Sequence, residues 1–169
     1  VIGIKPKKFQ PLSVSQGFTL IELMVTIAVL AIIVSIAAPN ISTQLANQRV
    51  KSTAATLENA LKEARAESII RRQEMTVAYN NSNSSKNITI KTPTGTTIAK
   101  FEISNKSEIT ATFTPSSITN IIFQPNKVTK EGANVVYTIC DSATSNETPK
   151  QVQVNNIASI TVTNAGRCS

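Results

Sequence analysis

Gly17-Phe18-Thr19-Leu20-Ile21-Glu22-Leu23-Met24-Val25 opens a stretch that stays predominantly apolar as far as Pro39. Before it lies a basic leader carrying Lys5, Lys7 and Lys8 and ending in Gln16-Gly17. From Phe18 to Ala38 the run is about 21 residues, and as a helix it reaches roughly 30 Å, one hydrocarbon thickness. The lysines ahead of it place residues 1–17 on the cytoplasmic side and send everything after Pro39 across the membrane. Glu22 is the exception inside the run. A carboxylate at that depth costs about 2.5–3.5 kcal/mol on insertion scales, which makes it a functional-site candidate by default.

Three readings account for this segment. A secretory signal peptide would be cut at Ser35-Ile36-Ala37, but the apolar run exceeds the usual core of such signals and contains Glu22. A plain signal anchor explains the length and the lysines, yet leaves the Gly17–Phe18 edge and its nearby carboxylate without a role. A third reading, processing at that edge, rests on the resemblance given below.

After Pro39 a helical period resumes. Ile41, Leu45, Val50, Ala54, Leu57, Leu61, Ala64 and Ser68 recur at three- to five-residue steps and predict one apolar stripe over 41–72. Glu58–Lys62 and Glu67–Arg71 stand four apart as surface pairs. The expected helix runs from Phe18 to about Arg72, with a kink or local melting at Pro39, which lacks an N–H. The period then changes to two. Strands are expected at Met75–Tyr79, Ile88–Lys91, Ile98–Ile103, Ile109–Phe113, Asn120–Phe123, Val135–Cys140, Gln151–Val154 and Ile160–Val162. Turn clusters separate them, among them Asn80–Ser85, Pro93-Thr94-Gly95 and Ser142–Pro149, and the Asn/Ser-rich 80–87 reads as a solvated hairpin loop. The fold class is therefore α+β, a long N-terminal helix packed on a C-terminal antiparallel sheet. The division follows: leader 1–17, membrane helix 18–38, amphipathic continuation 39–74 and β-rich domain 75–169.

Composition narrows the chemistry. The chain of 169 residues has 41% apolar and only 4% aromatic residues, so its soluble core must be built mainly from aliphatic side chains. The formal charge is +7, of which three lysines sit in the leader; without them about +4 remains (7 − 3), a mild balance. There is no histidine, which excludes histidine triads, histidine metal sites and histidine acid–base catalysis. Five glycines form no phosphate-binding or dinucleotide pattern. The acidic residues after the helix, Glu102, Glu108, Glu131, Asp141 and Glu147, read as scattered, with neither a carboxylate dyad nor a calcium loop. No catalytic residue, metal site or cofactor is expected. Cys140 and Cys168 do not have zinc-site spacing. In an exported chain they read as a disulfide, the alternative being two unrelated buried thiols.

Residues 16–40 resemble the class III signal of type IV pilins and type II secretion pseudopilins. The resemblance implies cleavage by a prepilin peptidase between Gly17 and Phe18, N-methylation of Phe18, Glu22 as the assembly carboxylate, and Pro39 as the helix-disrupting proline. Leu57 to Val77, with its leucine, alanine, arginine, glutamate pattern leading into a first strand, is similar to the GspH/FimT group of minor pilins and pseudopilins. The ending Asn164-Ala165-Gly166-Arg167 fits that group too, and the late cysteine pair resembles its pilus-side members, FimU and FimT. The implied role is a minor pilin of a tip or initiation complex, supporting motility, adhesion or transformation. The implied partners are other minor and major pilins, the prepilin peptidase and the inner membrane, with a periplasmic domain before assembly and an extracellular filament afterwards. A type II secretion pseudopilin is the alternative. DNA uptake is a further one: FimT-type proteins carry a C-terminal Gly-Arg-x-Arg, of which this chain matches Gly166-Arg167 but has Ser169 in place of the second arginine. Arg167 is thus the candidate DNA contact, with Lys127, Lys130 and Lys150 as supporting cations.

Overall fold

The computed structural model describes residues 17–168, apart from the side chains of 37–40. The leader 1–16, Ser169 and the Pro39 side chain lie outside the described residues, and so do the kink expected there and the Ser169 substitution. The chain divides into two units, Val1–Ala38 and Pro39–Ser169. One helical element, α1 (Leu20–Arg71), contributes to both.

In the first unit the helix begins at Leu20 instead of Phe18, and the cause is local. Thr19 is the N-cap: its Oγ1 accepts a hydrogen bond from the Glu22 backbone N–H at 3.2 Å. A Thr with a Glu three residues on, ahead of an apolar run, is the capping-box pattern. The large apolar side chains from Leu20 to Ile36 are 49–77% exposed, with no buried stripe among them. No single helix among the described residues is long and apolar enough to cross a membrane; Leu20–Ile36 and Ile41–Arg71 meet the length and composition together.

In the second unit the helix behaves differently. Ala46, Val50, Thr53, Ala54, Leu57, Ala60, Leu61, Ala64 and Ser68 are all buried. Steps of three and four keep them on one stripe, and the alanines let the sheets approach the helix closely. The expected stripe began too early. Ile41 and Leu45 are 55% and 53% exposed, because they lie about 100° or more round the helix from Ala46. Both surface pairs form, Lys62 with Glu58 at 2.6 Å and Arg71 with Glu67. The helix ends when Arg72 turns to φ 54° and the Gln73 N–H bonds the Ser68 carbonyl at 3.2 Å. That six-to-one bond over a left-handed residue is a Schellman ending, a place usually given to glycine.

Eight strands follow: β1 (Met75–Asn80), β2 (Asn87–Lys91), β3 (Thr97–Glu102), β4 (Ser107–Thr114), β5 (Ile121–Phe123), β6 (Asn134–Asp141), β7 (Lys150–Val154) and β8 (Ile160–Asn164). Each expected strand is present within a residue or two at its ends. The single sheet is not. The strands form two four-stranded antiparallel sheets, ordered β3-β2-β1-β5 and β4-β6-β7-β8. A period of two tells which side chains share a face but not which strand pairs with which. β4 leaves the first sheet because β6 offers it an eight-rung register, from Ser107 opposite Asp141 to Thr114 opposite Asn134. β5 then returns to β1 for only three rungs, Met75–Phe123 to Val77–Ile121.

The core lies between helix and sheets. Met75, Val77, Ile88, Ile90, Ile121 and Phe123 come from the first sheet, and Ile109, Val135, Tyr137, Ile139, Val152 and Val154 from the second. Tyr137 joins them, edge-on to Tyr79 at 6.1 Å and to Phe113 at 6.2 Å between ring centres. Burial pushes its hydroxyl well above the ordinary tyrosine range. The 80–87 connection is only partly solvated. Lys86 is 2% exposed and donates from Nζ to the Ser107 carbonyl at 3.0 Å, tying the loop to the second sheet.

Candidate functional site

Gly17, Phe18 and Thr19 precede the helix in irregular backbone, and Phe18 is 84% exposed. A Cβ at Gly17 would meet nothing within 4 Å. The junction is thus an open, non-helical peptide followed at once by a capped helix. Glu22 sits in the first helical turn and is exposed. Free N–H groups at a helix start favour a negative charge there. Thr19 and Thr26 flank it on its own face, and Glu22 is the one acidic group in Leu20–Ile36.

At the other pole of the chemistry is the seam between the second-unit helix and the second sheet. Arg49 grips Asp141 with two donors, Nε to Oδ2 at 2.6 Å and Nη2 to Oδ1 at 3.2 Å. The Asp141 side chain is 0% exposed and also accepts from the Ala143 N–H at 2.9 Å. Burial alone would raise its pKa; the Arg49 guanidinium and the Ala143 N–H outweigh that and hold it below the usual carboxylate range. Asn47 Oδ1 accepts from the Thr148 N–H at 2.7 Å, and Thr53 donates to Ser107 Oγ at 2.9 Å. Three polar helix residues thereby hold the helix to β4, to the end of β6 and to the loop after it. None of this was legible as a pair: Arg49 and Asp141 stand 92 positions apart.

Cys140, the neighbour of Asp141, is bonded to Cys168, Cα to Cα 5.9 Å, across a separation of 28 residues. Of the two readings of these cysteines the disulfide is the one present. It closes the loop holding β7 and β8, worth about 3–4 kcal/mol in the chain-entropy account. Glu147 lies against it, accepting from the Asp141 N–H at 3.0 Å and approaching Cys168 Sγ at 3.3 Å. Asp141 and Glu147, two of the supposedly scattered acids, are thus brought together. Cys140, Glu147 and Cys168 place possible ligand atoms within 4.8 Å of one another. Both sulfurs are spent on each other, so no thiolate is on offer.

The cations considered for nucleic acid do not converge. Lys150 starts β7 and bonds Asn164, and Arg167 follows β8 at that same end. Lys127 and Lys130 lie beside Thr129, whose N–H bonds Asn156 beyond the other end of β7. The length of β7, roughly 15 Å, separates the two groups. Lys130 is paired with Glu74 at 2.9 Å.

Residues 12–38 match the prokaryotic N-terminal methylation motif, and residues 53–158 match the family described as type II transport protein GspH. No curated protein sequence matches the chain. Among solved structures, the type IV minor pilin FimU of Pseudomonas aeruginosa superposes with a TM-score of 0.57 at 15% identity, over 72% of this chain and 96% of that one. The minor pseudopilin EpsH of the Vibrio cholerae type 2 secretion system superposes with a TM-score of 0.53 at 8% identity, over 70% and 99%. At such identities the likeness is one of fold: helix first, then two antiparallel sheets.

Proposed function

We infer the function from one premise, that this chain belongs to the GspH family, and propose that it is a structural minor pilin, a subunit of a type IV filament. The observation that carries the reading is the pairing of that domain with an apolar, all-round exposed helix bearing a single carboxylate. A helix apolar on every side has to be buried by something outside itself, first lipid and then other helices. Cleavage after Gly17 would leave Phe18 as an N-methylated terminus, four residues ahead of Glu22. Glu22 would then face the ammonium group of a neighbouring subunit in a setting of low dielectric. Such a pair selects register more than it adds net stability. The domain waits in the periplasm on a single inner-membrane span and leaves with the filament, among other minor and major pilins.

The test is incorporation. Glu22→Ala should be cleaved and methylated as the parent chain is, yet fall about tenfold or more in sheared filaments, a loss of register contacts of the order of a buried charge pair. Normal incorporation of that variant would remove Glu22 from the account. The family's own description favours a second reading, a pseudopilin of type II secretion. Deleting the gene separates the two: lost surface motility with intact protein export supports the pilus, and the reverse supports the secretion system.

A further inference from the structure

The eight rungs between β4 and β6 use one flank of β4 and leave the other facing outward. That outer flank has four rungs of the same parity, at Ser107, Ile109, Ala111 and Phe113. Ser107 is filled by the Ser104 carbonyl and by Lys86, and Ile109 is filled by an unusual partner. Asn81 Nδ2 donates to the Ile109 carbonyl at 2.7 Å, and Asn81 Oδ1 accepts from the Ile109 N–H at 3.2 Å. A side-chain carboxamide there imitates the peptide group of an adjoining strand. Ala111 and Phe113 have no backbone partner on that flank among the described residues.

Opposite them, β1 is also bare. β5 covers it only as far as Val77, so among the described residues Ala78, Tyr79 and Asn80 have no strand paired on that side. Between the two flanks is an open cleft of about 460 Å³, whose lining includes Tyr79 of β1, Ala111, Thr112 and Phe113 of β4, and Ile118 beyond it. That volume is within the usual range of ligand clefts, roughly 300–1,000 Å³. None of its lining side chains is charged.

We propose that this cleft is a strand-docking slot, which takes an extended, uncharged segment of a partner protein as an added strand on β4. Unpaired N–H and C=O groups on a strand edge are a template for another strand. At Ile109 this edge already holds an amide, through both its C=O and its N–H. An uncharged lining of apolar and hydroxyl side chains, with Tyr79 and Phe113 its aromatic members, would leave a charged segment unpaired on entry, so it selects apolar and hydroxyl side chains. The slot goes beyond the filament reading above and does not depend on it.

The experiment uses the full-length chain in detergent micelles and a phage-displayed library of linear octapeptides as the probe. The expected binders are uncharged and rich in β-branched residues. Remade synthetically, they should lose affinity about tenfold when N-methylated at the alternate amides that face β4, and stay within about twofold when methylated at the others. Ala111→Pro removes an outward N–H without touching the β6 ladder, a position at which an edge strand tolerates proline. It should weaken binding about tenfold with the melting temperature unchanged. If that variant fails to fold, the methylated peptides still decide the matter. Recovery of no binders, binders of net charge, or binders indifferent to both changes would overturn the slot. Self-association that Ala111→Pro abolishes would put a second copy there and overturn the choice of a partner segment.

Discussion

The two stretches of α1 are made of similar residues and meet opposite fates. From Leu20 to Ile36 the large apolar side chains are exposed on all sides; from Ala46 to Ser68 an equally regular apolar set is buried against the chain's own sheets. What separates them is the other face. The second stretch alternates its alanines and leucines with Glu58, Lys62, Glu67 and Arg71, so it has a wet side and needs only one partner surface. The first has only Glu22, Thr26 and Ser35 as polar residues, and among the described residues its large apolar side chains stay exposed. One helix thus has one stretch buried within the molecule and one exposed, which the filament reading assigns to membrane and neighbouring helices.

The sharpest way to break that comparison is to make the same truncation in both stretches. Leu61→Ala opens a cavity in the core and should destabilise the domain by about 2–5 kcal/mol. Leu30→Ala should leave domain melting unchanged within about 0.5 kcal/mol, because its side chain is 57% exposed. Thermal melts of the two variants in one detergent check both figures. Equal losses would mean the stretches are not distinct.

A smaller effect belongs to the seam. Asp141→Asn leaves Arg49 with one neutral acceptor where it had a carboxylate, and should cost about 2 kcal/mol, since the 25%-exposed guanidinium can recover part of its hydration. The same pair fixes a pH dependence. The Asp141 pKa is depressed in the folded state, so its stabilisation is complete above the unfolded carboxylate range, about pH 4–5, and is lost as pH falls through the lower folded value. Acid unfolding monitored for the parent and for Asp141→Asn should therefore converge at low pH. Parallel curves would assign the acid loss to other groups.

The smallest effect is at the helix end. Arg72→Gly relieves the strain of a side chain at φ 54°, less the extra freedom glycine has when unfolded, for a gain of about 0.5–1 kcal/mol. A melting temperature raised by a few degrees is the expected readout.

These regions were unequally legible. Each strand was visible because β-branched alternation records which face is buried, and Asn, Gly and Pro mark the turns. The helix start was legible as well, in Thr19 and Glu22, and went unread. Partner choice was not: nothing near Arg49 points to Asp141, nothing near Asn81 points to Ile109, and an eight-rung register is visible only once β4 and β6 lie side by side. The split into two sheets was hidden for the same reason. At the amino-terminal junction the sequence carries nearly all the information, because the methylation motif is a linear one and Gly17 and Phe18 are irregular, open backbone.

That junction is where the account is most exposed. The mass of the N-terminal peptide of the mature protein, taken from membranes and from sheared filaments, tests it directly. An N-methylated Phe18 in both fractions is the predicted result. A chain beginning near Ala38 or Pro39 would mean a protein released without its apolar helix, and would contradict the assembly role outright.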